Sequence, residues 1–203
     1  NINTREECKI YLIEGLPKVL PSFKESLSDV TKGYLQDMGV EVLTDSLVTD
    51  IQNDTVFYKI KNENKRIESK TILWGAGVKA SAMGKILSEA TGVKLDPVGR
   101  VMVNKDFSIP DYGNIFVIGD LARLKDGKDF LPGVATVAMQ SGEFVAQLIK
   151  NRTSKAKRYK KEFKYKNKGS LAVIGRNKAV ADLGYFTSKG FIAWILWIFI
   201  HIL

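Results

Sequence analysis

Glu14 ends the short apolar run Lys-Ile-Tyr-Leu-Ile at positions 9–13. A carboxylate at the carboxyl end of a strand can accept both hydrogen bonds of a ribose diol, as in dinucleotide-binding folds. The glycine-rich loop that accompanies such an acid belongs about 20 residues upstream, and only thirteen residues precede Glu14. An ordinary strand-end acid is the alternative. Gly75-Ala76-Gly77-Val78-Lys79-Ala80 fits the G-x-G-x-x-A pattern between an expected strand, Thr71 to Trp74, and an expected helix, Ala80 to Glu89. Small residues there let backbone N–H groups approach phosphate. No acid-ended strand follows about 20 residues on, so a glycine-rich crossover near a ligand fits better than a complete pyrophosphate loop. Ile115 to Ile118 closes on Gly119-Asp120. This reads as a buried strand placing a carboxylate at the edge of a parallel sheet, where ligands collect. Asp120 could accept hydrogen bonds from a polyol such as ribityl, or simply cap a turn. A helix expected from Val134 would aim its free N–H groups and positive dipole end at the same edge. That suits the negative charge of a reduced flavin.

The elements that must position these residues follow from periodicity. Positions 9–13 predict a buried strand, and Ser22 to Met38 a helix with Phe23, Leu27, Val30, Tyr34, Leu35 and Met38 on one face. Gly39 fits the position after its C-cap, and Val40 to Leu43 is the next strand. A strand–helix–strand unit marks a parallel sheet. Leu47 to Ile51, Thr55 to Ile60 and Lys65 to Ile67 predict an antiparallel meander, with Asn62-Glu63-Asn64 as a turn. Val134 to Ile149 predicts a helix, and Ser170 to Ile174 and Ala179 to Asp182 two further strands.

Composition narrows the class. Of 203 residues, 45% are apolar, which excludes global disorder. One cysteine, Cys8, and one histidine, His201, exclude a disulfide framework and Cys- or His-rich metal sites, and leave no basis for a Ser–His–Asp triad. No metal site is expected and no catalytic side chain is assigned. The net charge is +9, and ten cations lie between Lys150 and Lys168 against a single acid, Glu162. Interleaved Tyr159, Phe163 and Tyr165 would suit a nucleic-acid strip, and a solvated linker is the plain reading. Position favours a third: the stretch precedes the uncharged tail Gly190 to Leu203, which carries Trp194 and Trp197 beside Phe191 and Phe199. The tail is shorter than the ~18–20 apolar residues of a membrane span. A buried terminal helix and an interfacial anchor both fit it; the tryptophans favour the anchor, with the cations on an anionic lipid surface. The first residues lack the features of a signal peptide, and the chain reads as beginning within a domain.

Three motifs carry a family resemblance. Asn114-Ile115-Phe116-Val117-Ile118-Gly119-Asp120 resembles the second flavin motif of flavoproteins with two dinucleotide-binding domains. Pro132-Gly133-Val134-Ala135-Thr136-Val137-Ala138-Met139-Gln140 resembles the quinone-side helix of type II NADH:quinone oxidoreductases. The run from Phe163 to Val180, with Lys166 and Gly169-Ser170-Leu171-Ala172, resembles their C-terminal signature. The resemblance extends along essentially the whole chain. It implies an α/β fold holding parts of two Rossmann-like domains and a C-terminal membrane-associating region: residues 1–70 as the rear of an NADH domain, 71–150 as the returning part of an FAD domain, and 151–203 as the basic segment and membrane region.

The resemblance also implies roles. Gly119, Asp120, Ala135, Thr136, Val137 and Lys166 would bind FAD, with Lys166 balancing charge on the reduced ring. Glu14 and Gly75, Ala76 and Gly77 would serve NADH. Thr136, Met139 and Gln140 would face the quinone, although the family pattern Ala-Gln-x-Ala-x-Gln has glutamine where Thr136 stands. Trp194, Trp197, Phe191 and Phe199 would meet the membrane. The implied function is non-pumping electron transfer from NADH through FAD to a membrane quinone, on the cytoplasmic face of a bacterial inner membrane. No nucleic acid is expected as a partner, and a homodimer is admissible. The single cysteine argues against a sulfide:quinone oxidoreductase, which works through redox cysteines. The alternatives are another pyridine-nucleotide:quinone flavoprotein reductase, or a non-enzymatic basic membrane-binding protein.

Overall fold

Ile10–Ile13 forms β1 and Val40–Leu43 forms β2, paired in parallel with Ile10 opposite Val40 and Ile13 opposite Leu43. They come from a computed structural model that describes residues 8–153 and 162–202. Helix α1, Glu25–Asp37, joins the two strands as the apolar spacing requires. It ends where Gly39 adopts φ +88°, a conformation that costs glycine little. Ser28, buried in its inner face, donates to the Val19 carbonyl at 2.7 Å. Then β3 (Ser46–Gln52), β4 (Thr55–Ile60) and β5 (Glu63–Glu68) form the expected antiparallel meander. The last turn is tighter than expected. Lys61 and Asn62 both have positive φ, the signature of a two-residue hairpin loop, so Glu63 and Asn64 already belong to β5.

Residues 71–80 have no regular structure, against the expected strand from Thr71 to Trp74. A strand needs a ladder partner, and none of the described residues pairs with these. Leu73 is 90% exposed.

A second unit, Gly75–Asn167, follows. It contains α2 (Met83–Thr91), β6 (Val101–Val103), the hairpin of β7 (Ser108–Ile109) and β8 (Tyr112–Phe116), and the hairpin of β9 (Ala122–Asp126) and β10 (Asp129–Phe130). Helix α3, Ala135–Thr153, closes it. β6 and β9 are parallel, with Val101 opposite Ala122. The apolar run at 115–118 is a different object from the one expected. β8 stops at Phe116 and pairs antiparallel with β7, while Val117 is buried and Ile118 is largely exposed. An apolar run alone does not distinguish a parallel strand from the exit of a hairpin. Two apolar clusters fill this unit: one is Phe107, Leu124, Leu131, Val137 and Val145, the other Val93, Val101, Ile109 and Val117. Phe107 has φ +65°, unusual for a bulky side chain, and its ring meets Phe144 and Phe163 edge-on.

The chain then returns to the first unit, which comprises Asn1–Trp74 and Lys168–Leu203. β11 (Ser170–Gly175), β12 (Lys178–Asp182) and β13 (Thr187–Lys189) form an antiparallel sheet. One side receives α1: Phe23 and Leu27 pack with Val180, and Lys178 and Lys24 pair with Asp37 and Asp182. Helix α4, Gly190–Ile202, packs on the same sheet through Ala193, which shares a fully buried cluster with Ala179 and Ala181. Small residues on both surfaces let helix and sheet approach closely. Among the described residues, no helix is long and apolar enough to cross a membrane.

Candidate functional site

The most developed site is the turn at Gly119-Asp120 and the start of α3. Gly119 has φ +66°, and its N–H donates to Ser141 Oγ at 3.3 Å. Ser141, fully buried, passes the bond to the Ala138 carbonyl at 2.8 Å. A Cβ added at Gly119 would lie 3.6 Å from Ala138 Cβ, and one at Gly142 would lie 3.8 Å from Ile118 Cδ1. The turn therefore sits on a small-residue face of α3. Asp120 itself is exposed. Its Oδ1 lies 3.9 Å from the position a Cβ on Gly133 would take, so the bare backbone of Gly133 leaves room beside the carboxylate.

The helix start completes the arrangement. Val137 and Ala138 donate to the Val134 carbonyl at 3.0 and 3.2 Å, and Val134 donates to Pro132. The N–H groups of Ala135 and Thr136 have no acceptor among the described residues, so two donors at the positive end of the helix remain open. Gly133, two residues ahead of the helix, is the point at which Asp120 comes close to its start. An exposed carboxylate, which can accept from hydroxyls, and two free amides, which can donate to negative charge, have the chemistry a flavin nucleotide would need.

Residues 162–167 lie along the same helix. Phe163 enters the aromatic cluster and its N–H donates to the Lys105 carbonyl at 2.8 Å. Tyr165 and Thr136 share a hydroxyl–hydroxyl bond of 2.8 Å. Gln140 binds the main chain of Lys166 at both ends, accepting from its N–H and donating to its carbonyl, each at 3.0 Å. Thr136 and Gln140 are thus already engaged. Each keeps only part of its hydrogen-bonding capacity for another molecule. Met139, 66% exposed, presents an apolar side chain beside them. The rest of the basic stretch divides: Arg152 holds Asp106 at 3.2 Å and lies over the Phe116 ring, whereas Lys155, Lys157, Arg158, Tyr159, Lys160 and Lys161 lie outside the described residues.

A compact ionic group supports the β6–β9 pair. Asp96 accepts from the Val98 and Arg100 N–H groups and from Arg100 Nε at 2.7 Å, with Arg123 Nε at 3.4 Å. Burial pushes the Asp96 carboxyl up, but the bonds and charge from Arg100 outweigh it and hold it below the usual carboxylate range. Arg123 also lies over the Phe130 ring, 4.0 Å from its centre.

The remaining expected residues are placed as follows. Glu14 follows β1 at its carboxyl end; its N–H reaches the Leu43 carbonyl, and Oε1 accepts from Leu16 N–H at 2.8 Å. Gly75, Ala76 and Gly77 lie in the irregular exposed segment, and α2 begins only at Met83. The strand–loop–helix context of a phosphate loop is therefore absent there. Phe191 and Phe199 face outward on α4, each 57% exposed. Trp194 instead packs on the alanine cluster and stacks with Phe191, and Trp197 is half-buried. Sequence reasoning missed Ser141, Gly133 and Tyr165. The spacing of small residues at Ala138, Ser141 and Gly142 was the available signal for a close approach to α3.

Residues 3–142 match the family described as pyridine nucleotide-disulphide oxidoreductase. The chain belongs to this family. Among its relatives is the type II NADH:quinone oxidoreductase Ndh of Mycobacterium tuberculosis, 38% identical over 198 residues, which covers 97% of this chain and 42% of the relative. The type II NADH:quinone oxidoreductase of Staphylococcus aureus is 34% identical over 179 residues, 87% of this chain and again 42% of the relative. The resemblance read from the three motifs is thereby borne out, and the chain spans less than half the length of these relatives. In fold it is similar to NDH2 from Plasmodium falciparum, solved in complex with NADH, with TM-score 0.83 and 20% identity over 96% of this chain and 54% of that one. The sulfide:quinone oxidoreductase of Aquifex aeolicus has TM-score 0.72 at 16% identity, covering 97% of this chain and 51% of that one. The α/β architecture of this family of oxidoreductases is shared by all of them.

Proposed function

We propose that this chain is part of a membrane-associated enzyme that passes electrons from NADH through FAD to a quinone. The observation that carries this reading is the Gly119-Asp120 turn seated on α3, with two free helix-start amides beside it. The names of its relatives support the substrates. FAD, when bound, supplies the two-electron exchange between a nicotinamide and a quinone. Asp120 would accept a hydrogen bond from a ribityl hydroxyl of the cofactor. The Ala135 and Thr136 N–H groups and the helix dipole stabilise negative charge at the ring, and Val137 is buried beneath them. The Lys166 ammonium adds positive charge. Met139, the remaining capacity of Thr136 and the aromatic wall at Tyr165 serve the quinone. Glu14 Oε2, which has no partner among the described residues, accepts a ribose hydroxyl of NADH, and Gly75 to Gly77 offer close backbone approach on the nicotinamide side.

The outward side chains of α4, with Phe186 and Tyr185 of the β12–β13 turn, serve as a peripheral anchor on an anionic lipid surface. The direct test of the cofactor site is Asp120→Ala in the complete enzyme. It should lower the FAD content of purified protein severalfold; full retention would overturn the assignment of Asp120.

A further inference from the structure

Gln140 resembles a residue expected to meet the quinone, yet its carboxamide is spent on another partner. It accepts from Lys166 N–H and donates to Lys166 C=O, both at 3.0 Å. This two-way bond fixes a main-chain segment as a neighbouring β-strand would. One turn earlier on the same helix face, Thr136 ties the Tyr165 hydroxyl at 2.8 Å; residues four apart on a helix share a face. Phe163 secures the start of the segment among Phe107 and Phe144. Three successive ties thus fix residues 163–166 on α3, while the Lys166 side chain is left exposed.

We infer that Gln140 is a positioning residue. It clamps the main chain of Lys166 so that the Lys166 ammonium stands near the N-terminal turns of α3, and through that charge it sets the reduction potential of the bound flavin. A cation near the reduced, negatively charged ring raises the potential, so releasing the lysine lowers it. The inference rests on the reading of Lys166 given above. It differs from a quinone-ligand role in one respect: its effect is felt in the half-reaction with NADH, before any quinone is present.

The test uses the complete FAD-loaded enzyme with Gln140→Leu, which removes both bonds, and Gln140→Glu, which keeps the acceptor for Lys166 N–H and loses the donor. Hydrogen exchange reads the clamp without the flavin. Losing one such bond should speed exchange of the Lys166 amide by about tenfold in Gln140→Leu, and less in Gln140→Glu. The flavin potential should move negative in Gln140→Leu, in the same direction as in Lys166→Met, and flavin reduction by NADH should slow in both. Unchanged protection of the Lys166 amide in Gln140→Leu would overturn the clamp. Lost protection with an unmoved potential, while Lys166→Met still moves it, would overturn the positioning role. An unmoved potential in Lys166→Met itself would overturn the assignment of Lys166 and, with it, this inference. A raised KM for quinone with an unaltered NADH half-reaction would return Gln140 to the role of quinone contact. Should Gln140→Leu fail to fold, Gln140→Ala, which also removes both bonds, takes its place in each measurement with the same outcomes.

Discussion

Two residues make separate commitments, one through its backbone and one through its charge. Gly119 must adopt φ +66° against Ala138, and a Cβ in that left-handed region costs about 1 kcal/mol. Gly119→Ala should therefore lower the unfolding free energy of the complete enzyme by about that amount and loosen its flavin, as seen by denaturant titration and by cofactor release. The proposed NADH contact of Glu14 depends on its charge. A carboxylate there favours a ribose hydroxyl and repels a 2′-phosphate. Glu14→Gln should raise the KM for NADH and narrow the preference for NADH over NADPH; an unchanged ratio of kcat/KM for the two would remove Glu14 from the nucleotide site. Both residues were legible in the sequence because each stands at the end of an apolar run. Tyr165 was not: nothing in its neighbours announces that its hydroxyl meets Thr136, a contact that exists only once residues 162–167 lie along α3.

At the scale of elements, periodicity locates the helices and most of the paired strands, but not every apolar run becomes a strand. The spacing of Phe23, Leu27 and Val30 located α1, and Gly39 located its end. By contrast, Thr71 to Trp74 has strand chemistry but no ladder, because β structure depends on a partner that periodicity does not supply. The run ending at Ile118 has the composition of a parallel strand but is the exit of a hairpin for the same reason, and Gly119-Asp120 begins the turn that follows it.

Two elements make testable commitments. Asp96 braces β6 and β9 through Arg100 and Arg123. Its folded carboxyl titrates below the unfolded value of about 3.9, so its stabilisation is present above that pH and disappears as pH falls through the folded pKa. Asp96→Asn should cost about 2 kcal/mol near neutrality. The gap between variant and parent should shrink as the pH is lowered through the acid range, read from denaturant midpoints at each pH. Helix α4 rests on alanines, with Ala193, Ala179 and Ala181 at 0% exposure. Ala193→Leu overfills that contact and should destabilise the docking by about 1–3 kcal/mol, visible as faster hydrogen exchange along α4. The Trp194 side chain, expected at the lipid, is half-buried and takes part in this packing.

The positive charge of the molecule is concentrated rather than spread. The sequence places most of the +9 surplus in one stretch, and the part of that stretch within the described residues splits between structural pairing by Arg152 and the exposed Lys150, Lys164, Lys166 and Lys168. On anionic vesicles each cation near the surface contributes about 1 kcal/mol and is weakened by salt, whereas the apolar face of α4 is not. Binding should therefore fall in part with ionic strength and persist in part at high salt. Replacing Phe191 and Phe199 together by serine should abolish the salt-resistant fraction, and its survival would remove α4 from the membrane surface.

The family and the α/β class were legible because three motifs stand at 114–120, 132–140 and 163–180 in the order the family resemblance requires. The grouping of α1 with β11 to β13 was not, since it joins segments more than a hundred residues apart through Phe23, Leu27 and Val180. The central claim is that the Asp120 turn and the start of α3 hold a flavin that connects NADH to a quinone. Anaerobic rapid mixing of the complete enzyme tests it most directly. NADH alone should bleach the flavin absorbance, and a subsequent pulse of quinone should restore it without NADH being needed again. Flavin that NADH reduces but quinone cannot reoxidise, or flavin that NADH leaves oxidised, would contradict the account.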